Sequence, residues 1–332
     1  MSSSAPAWAP TATPAALRAR AEMLQAIRSF FAERGVLEVE TPLLAAYGVT
    51  EPHLSAFDTL YRAPGSHSPA RRMFLQTSPE FAMKRLLASG VGSIYQVCKA
   101  FRNEEQGRRH NPEFTLLEWY RVGFGLEDLI GEVELLLRAL LAQSRPALRS
   151  ARIDYRTVFG RHVGADPITA DIASLDECAR RSGYPEAGGM CGQDRALWLD
   201  FLFSQRVQPR LVDAGLVFVT DFPRCLPSLA RAHRDDPAVV ERVEVFLDGI
   251  ELGNGFHELA DAAEQARRFA QDLATRRALG LTEQRQDPRL LGALEAGLPD
   301  CSGIAIGLDR LLMAVTGAER IDEVLAFAFE RA

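Results

Sequence analysis

The clearest chemical promise in the chain lies at Arg102. It follows the strand-like run 97–101, where an unpaired guanidinium is costly, and opens a loop carrying Glu104, Glu105, Arg108, Arg109, His110 and Asn111 before Pro112. A strand-anchored arginine with acids and a histidine beside it can grip a polyphosphate, because its planar fork meets phosphate oxygens at two points. A second signal lies in 241–259, ERVEVFLDGIELGNGFHEL, where Asp248-Gly249 is a strong two-residue hairpin turn. With that turn, Phe246 faces Glu251 and Glu244 faces Gly253. Glu244 and Glu251 then share a sheet face as diagonal neighbours, roughly 5–8 Å apart at the backbone. Two carboxylates that close repel unless a cation lies between them, and a hard, oxygen-seeking Mg²⁺ carrying phosphates suits them. Gly253-Asn254-Gly255 lets another strand or a ligand approach closely. A third acid, Glu80, falls in the first turn of a helix expected over 79–89, since Ser78 is a good N-cap and Pro79 suits the first helical position.

These residues need elements to hold them. The runs 93–102 and 114–121 alternate and read as an antiparallel pair around the charged loop. Apolar residues recur at helical spacing from Leu17 to Phe31, Gly35 stands where that helix would end, and 36–41 reads as a strand stopped by Pro42. Short strands are expected at 73–77 and 217–220, and helices at 126–141, 196–207 and 258–280. The stretch 144–164 reads as irregular, and 301–313, CSGIAIGLDRLLM, as an apolar strand running into a helix. Asp309 is expected to cap that helix or partner an arginine, and His257 to be structural.

Composition excludes several classes. With 332 residues, 47 % hydrophobic and 25 % charged, the chain is an ordinary globular protein. A net charge of −6 provides no sequence-wide attraction to nucleic acid. No apolar run is long enough to span a bilayer. The five cysteines lack C-x-x-C spacing and read as buried reduced thiols of a cytoplasmic protein. SSSAPAWAPTATPAA lacks the basic start and apolar stretch of a signal peptide.

F-R-N-E at 101–104, R-H-N-P-E-F-T at 109–115 and L-E-W-Y at 117–120 resemble motif 2 of class II aminoacyl-tRNA synthetases, specifically the lysyl branch. The helix leading into GVLEVETP resembles motif 1, the dimer interface of that class, and 301–313 resembles motif 3. The resemblance spans nearly all of 15–332. It implies an α+β fold, a class II synthetase-like catalytic domain with a mostly antiparallel sheet flanked by helices, in a homodimer. Residues 1–14 would be a disordered tail, and roughly 145–215 an insertion between motifs 2 and 3. The lysyl enzymes place an anticodon-binding barrel before motif 1, and this tail is far too small for one. That departure resembles a free-standing branch of the family, which transfers (R)-β-lysine to elongation factor P and not to tRNA. A free-standing tRNA ligase and a non-catalytic amino-acid-binding regulator are the alternatives; the motif arginines and both acids disfavour the regulator.

The resemblance also implies roles. Arg102 would bind the α-phosphate of ATP and Arg310 the outer phosphates, both as catalytic groups. Asn103, Glu104, His110, Asn111, Phe114, Glu251, Leu252 and Gly307 would complete the ATP site, with Glu104 and Asn111 on adenine and Phe114 stacked against it. Glu244 and Glu251 would hold Mg²⁺. The amino-acid pocket would comprise Ser78, Pro79, Glu80, Glu118, Tyr120, Asn254, Phe256, Glu258 and Ala305. The family usually has glycine where Ala305 stands, so its methyl group is expected to disfavour α-lysine and leave β-lysine. The acceptor would be the ε-amine of one loop lysine of elongation factor P.

Overall fold

The computed structural model describes residues 6–65, 69–226 and 229–332. Residues 1–5, the start of the expected tail, lie outside them. In chain order the elements are α1 (Pro14–Ala32), β1 (Leu37–Glu38), β2 (Leu44–Ala45), β3 (Asp58–Tyr61), β4 (Arg71–Leu75), α2 (Glu80–Ala88), β5 (Ile94–Phe101), β6 (Glu113–Val122) and α3 (Leu126–Leu141). There follow β7 (Ser150–Asp154), α4 (Tyr155–Val163), α5 (Ile172–Arg181), α6 (Ala187–Cys191), α7 (Arg195–Leu202), β8 (Leu216–Pro223), β9 (Val239–Leu247) and β10 (Ile250–His257). The chain ends with α8 (Ala262–Ala278), α9 (Pro288–Gly297), β11 (Cys301–Gly307) and α10 (Leu308–Thr316).

One eight-stranded sheet, ordered β1-β5-β6-β11-β10-β9-β8-β7, carries the molecule. It is antiparallel from β5 through β8 and parallel only at its margins, β1 with β5 and β7 with β8. A small antiparallel sheet, β2-β4-β3, stands apart. Alternation along the strands sorts the two faces of the large sheet. Leu117 and Trp119 of β6, Val243 and Val245 of β9, and Ile304 and Ile306 of β11 join one core with Ile27 and Phe31 of α1, Val133 and Leu137 of α3, and Leu311 and Leu312 of α10. Glu118 and Tyr120 of β6 therefore point to the opposite face. There Met83 and Leu87 of α2, Phe269 of α8 and Leu290 and Leu294 of α9 pack around Tyr120. Further along that face, α4–α7 cluster with Val217, Val219 and Phe246. The functional cleft lies between these two groups of helices.

Helix α3 and the β5–β6 and β9–β10 hairpins fall where expected. Two regions differ. The tail expected over 1–14 is tied down from residue 9, because Thr11 and Ala12 donate backbone N–H bonds to Ala326 and Leu325 and Ala12 is buried. The stretch expected to be irregular holds β7 and α4; Asp154 caps α4 by accepting from Thr157 N (2.8 Å), and Gly164 ends it at φ +82°. Roughly 145–215, expected as an insertion between motifs 2 and 3, includes β7, which extends the main sheet in register Ser150↔Leu216 to Asp154↔Thr220. Among the described residues all five cysteines are free, with Cys225 exposed rather than buried as expected. No described helix is long and apolar enough to cross a membrane.

Candidate active site

A cleft of about 930 Å³ opens over β6, β11 and β10. At one end Ser78, Pro79 and Glu80, leading into α2, meet the inner strands. Ser78 Oγ accepts from Glu80 N (3.1 Å) and donates to Glu118 Oε2 (2.8 Å), while Tyr120 Oη donates to Glu118 Oε1 (2.7 Å). Lys84, one turn after Glu80, reaches Glu80 Oε1 at 2.6 Å and lies 2.6 Å from Glu258 Oε2. Two carboxylates thus clasp one ammonium, with Glu118 close by, in a site where Lys84 and Glu258 are almost wholly buried. Burial pushes the Glu118 carboxyl well above its usual range, Glu80 adding to the push. It pushes Glu258 up too, against the pull of Lys84. Lys84 itself stays protonated beyond its ordinary range, because the two carboxylates outweigh its desolvation.

Register explains the company these side chains keep. Tyr120 stands opposite Gly303 and Glu118 opposite Ala305. A Cβ at Gly303 would lie 2.3 Å from the Tyr120 ring, so only glycine lets β11 and β6 keep this approach. On β10 the expected pairing Phe246↔Glu251 holds, then shifts by one at a bulge between Glu251 and Gly253, so that Glu244 faces Asn254 and not Gly253. The extra residue reverses the strand's parity. Glu251 before the bulge and Asn254, Phe256 and Glu258 after it all line the cleft, whereas an unbroken strand would have turned these last three away. The same shift puts His257 on the opposite face, bound to Glu241 and Asp300, a structural place as expected.

The other end of the cleft is basic. Arg102 lies with its guanidinium carbon 5.1 Å above the Phe114 ring, and its Nε is buried with no hydrogen-bond partner. Arg310 donates to the Glu251 carbonyl (2.9 Å), the Arg109 carbonyl (3.3 Å) and His110 Nε2 (2.5 Å). Burial and the neighbouring Arg310 hold His110 below its ordinary value, and burial with Arg108 and Arg310 lowers Arg109. Asp309 accepts from Arg20 and from Thr115 N (2.7 Å), tying α10 to α1 and β6 as the arginine partner anticipated.

The cleft brings together most of the expected site: Ser78, Pro79, Glu80, Arg102, His110, Asn111, Phe114, Glu118, Tyr120, Glu251, Leu252, Asn254, Phe256, Glu258, Ala305, Gly307 and Arg310 all line it. Three residues depart. Asn103 and Glu104, expected to hold the nucleotide, lie exposed on the hairpin tip; Asn103 N donates to Ser55 O (2.8 Å), and Glu104 takes a left-handed φ of +68°. Glu244, expected beside Glu251 on the metal, is set back against Arg242. Asn111 lines the wall, but both ends of its amide are engaged, Nδ2 with Glu113 O (2.6 Å) and Oδ1 with Phe329 N (3.0 Å).

Sequence reading missed Lys84, whose i, i+4 spacing from Glu80 was the available signal. It also missed Arg242, which lies 4.5 Å from the Phe222 ring and donates to Asn254 Oδ1 (3.0 Å). Glu51 and His53 enter the wall on a loop that α8 holds through Thr50–Asp272 (2.9 Å) and Arg276–Glu51 O (2.9 Å). No local pattern marks that loop.

This fold and cleft define a class of protein. Residues 9–331 match the family described as tRNA synthetases class II (D, K and N), and the chain belongs to that family. Among curated relatives, it is 47 % identical over 325 residues to the protein named elongation factor P--(R)-beta-lysine ligase of Pasteurella multocida (strain Pm70), covering 98 % of each chain. Proteins of the same name from Klebsiella pneumoniae subsp. pneumoniae (47 % over 325 residues, 98 % of each chain) and Histophilus somni strain 2336 (48 % over 320 residues, 96 % of this chain and 97 % of the relative) are equally similar.

Proposed function

We propose that the chain is an ATP-dependent ligase that activates (R)-β-lysine as an adenylate and transfers it to the ε-amine of one lysine of elongation factor P. One observation carries this reading: a buried cluster of carboxylates suited to amines shares a single cleft with a cluster of guanidinium groups, one of them with an unpartnered buried Nε. The near-full-length similarity to ligases of that name supports the choice of acyl donor and acceptor.

In this reading Glu80, Glu118, Tyr120 and Glu258 receive the substrate's amines and aim its carboxylate toward Arg102. The carboxylate attacks the α-phosphorus of ATP, pyrophosphate leaves, and Arg102 stabilises charge gathering on the α-phosphate oxygens. His110 and Arg310 meet the outer phosphates, and Phe114 stacks on the base. The acceptor amine, having lost its proton, then attacks the acyl carbon and releases AMP, leaving an amide. The residues present fit Mg²⁺. Burial pushes the Glu244 carboxyl up, opposed by Arg242, with Glu251 and Asp200 adding negative charge, and Mg²⁺ bound with phosphates needs only one or two protein carboxylates. Glu251, with Glu244 behind it, would hold the ion, which would neutralise charge on the phosphate oxygens. We also infer a homodimer built on α1 and the segment after it, where Leu17, Leu37, Leu43 and Leu44 are exposed; sedimentation of the intact protein tests it.

The deciding experiment incubates the protein with ATP and labelled (R)-β-lysine, together with elongation factor P or bulk tRNA. A mass gain of one lysyl unit on a single lysine of elongation factor P is expected. Label recovered on tRNA as a base-labile ester, with elongation factor P unmodified, overturns the acceptor assignment.

A further inference from the structure

Lys84 is buried against Glu80 and Glu258 at the acidic end of the cleft and has no part in the chemistry described above. We propose that Lys84 is a positioning residue: its ammonium is a resident counter-ion that keeps Glu80 and Glu258 charged and aimed at the substrate amine. This rests on the ligase reading and deepens it, by naming what makes the pocket select an ammonium group.

The geometry carries the argument. Lys84 takes Oε1 of Glu80 and Oε2 of Glu258, each at 2.6 Å, with its side chain 2 % exposed. The remaining Glu258 oxygen, Oε1, lies 3.0 Å from where a Gly303 Cβ would stand, so it faces the β11 wall of the cleft. Glu118 is held differently, since each of its oxygens accepts from a neutral hydroxyl, Ser78 or Tyr120. Buried carboxylates without a cation take up protons, and a carboxylic acid attracts an ammonium ion poorly. One resident ammonium therefore lets the two carboxyls it touches, Glu80 and Glu258, stay charged acceptors, while Glu118 is held by hydroxyls alone. The ionisable groups facing Lys84 are Glu80 on its own helix, Glu258 after β10, Glu118 on β6 and Cys301 on β11, with Tyr120 bound to Glu118. A purely structural clamp is the competing account, but Met83 and Leu87 already bury α2 in the apolar cluster on either side of Lys84.

The test is pyrophosphate–ATP exchange driven by (R)-β-lysine, run from about pH 6.5 to about pH 9 on wild type, Lys84→Met, Lys84→Gln and Lys84→Arg, with melting temperatures measured alongside. At neutral pH, Lys84→Met and Lys84→Gln should raise KM for β-lysine by at least about 10-fold, the equivalent of one pKa unit, while kcat and KM for ATP stay within about twofold. The KM defect should narrow as pH rises and the carboxyls ionise unaided, and Lys84→Arg should recover part of it. Lys84→Gln keeps the hydrogen-bonding capacity and carries the measurement if Lys84→Met does not fold. A lower melting temperature with a wild-type KM–pH profile makes Lys84 a clamp only and overturns the proposal. Wild type inactive in exchange with every lysine-like substrate brings down the ligase reading, and this inference with it.

Discussion

At the amine end of the cleft, two carboxylates clasp a single ammonium with Glu118 close by, and burial raises the carboxyls toward neutrality. At the phosphate end, Arg102, Arg109, His110 and Arg310 crowd together, and burial with the neighbouring Arg310 lowers His110 from its ordinary value. Each end thus holds surplus charge of the sign its ligand would cancel. The ends differ in how they are held. The amine pocket is tied internally through Ser78, Tyr120 and Lys84, whereas at the phosphate end Arg310 leans on the backbone carbonyls of Arg109 and Glu251, and Arg102 Nε is left unpartnered. A preorganised pocket suits recognition of a small amine, and a looser arginine cluster suits charge that develops during reaction.

The comparison breaks most sharply at Arg102. Replacing it with alanine should slow pyrophosphate–ATP exchange by about 10²–10³-fold, the scale for losing one transition-state donor, and robust exchange in that variant would place the reactive phosphate elsewhere.

At the amine end, Ala305→Gly removes the methyl opposite Glu118. The ratio of α-lysine to β-lysine activation should rise by about 10-fold, the low end for one such group. An unchanged ratio in side-by-side exchange assays removes Ala305 from the specificity argument.

Charge state offers a subtler contrast. Burial pushes the Glu118 carboxyl up to about 8 from an ordinary 4.5. Between those values the folded protein binds a proton that the unfolded chain has released, so this carboxyl makes stability fall as pH rises through the window, by up to about 1.4 kcal/mol per pH unit. Thermal melts of the unliganded protein should show that decline, and saturating β-lysine should flatten it. Melting curves with the same slope with and without β-lysine would mean that the amine does not meet this acid.

The smallest expected effect is proton traffic on binding, read by calorimetry in buffers of different ionisation enthalpy. An ammonium favours the ionised carboxylates, so β-lysine should release protons near neutral pH. A triphosphate favours the charged imidazole, so ATP should take up a fraction of a proton below the ordinary His110 value of 6.5. Proton release in both cases would contradict the opposed ends.

What sequence alone determined follows from local rules. Alternation and the charged loop located the β5–β6 hairpin, Asp248-Gly249 located the β9–β10 turn, and helical periodicity bounded α3 at Leu126 and Leu141. Resemblance to the family's motifs, and no local rule, placed Arg102, Glu118 and Arg310 at one site. Tertiary structure decided the rest. The bulge after Glu251 is invisible in a period-2 pattern, because it depends on the close approach of β11, where a Cβ at Gly253 would fall 2.3 Å from the Ile306 side chain. Helix spacing pairs Lys84 with Glu80, but only the folded sheet brings Glu258, 174 residues further along the chain, to the same ammonium. Glu244 retreats behind Arg242, and Glu51 joins the wall, for the same reason. A residue's type and near neighbours set its chemistry, while the packing of distant strands sets the charges it must answer to.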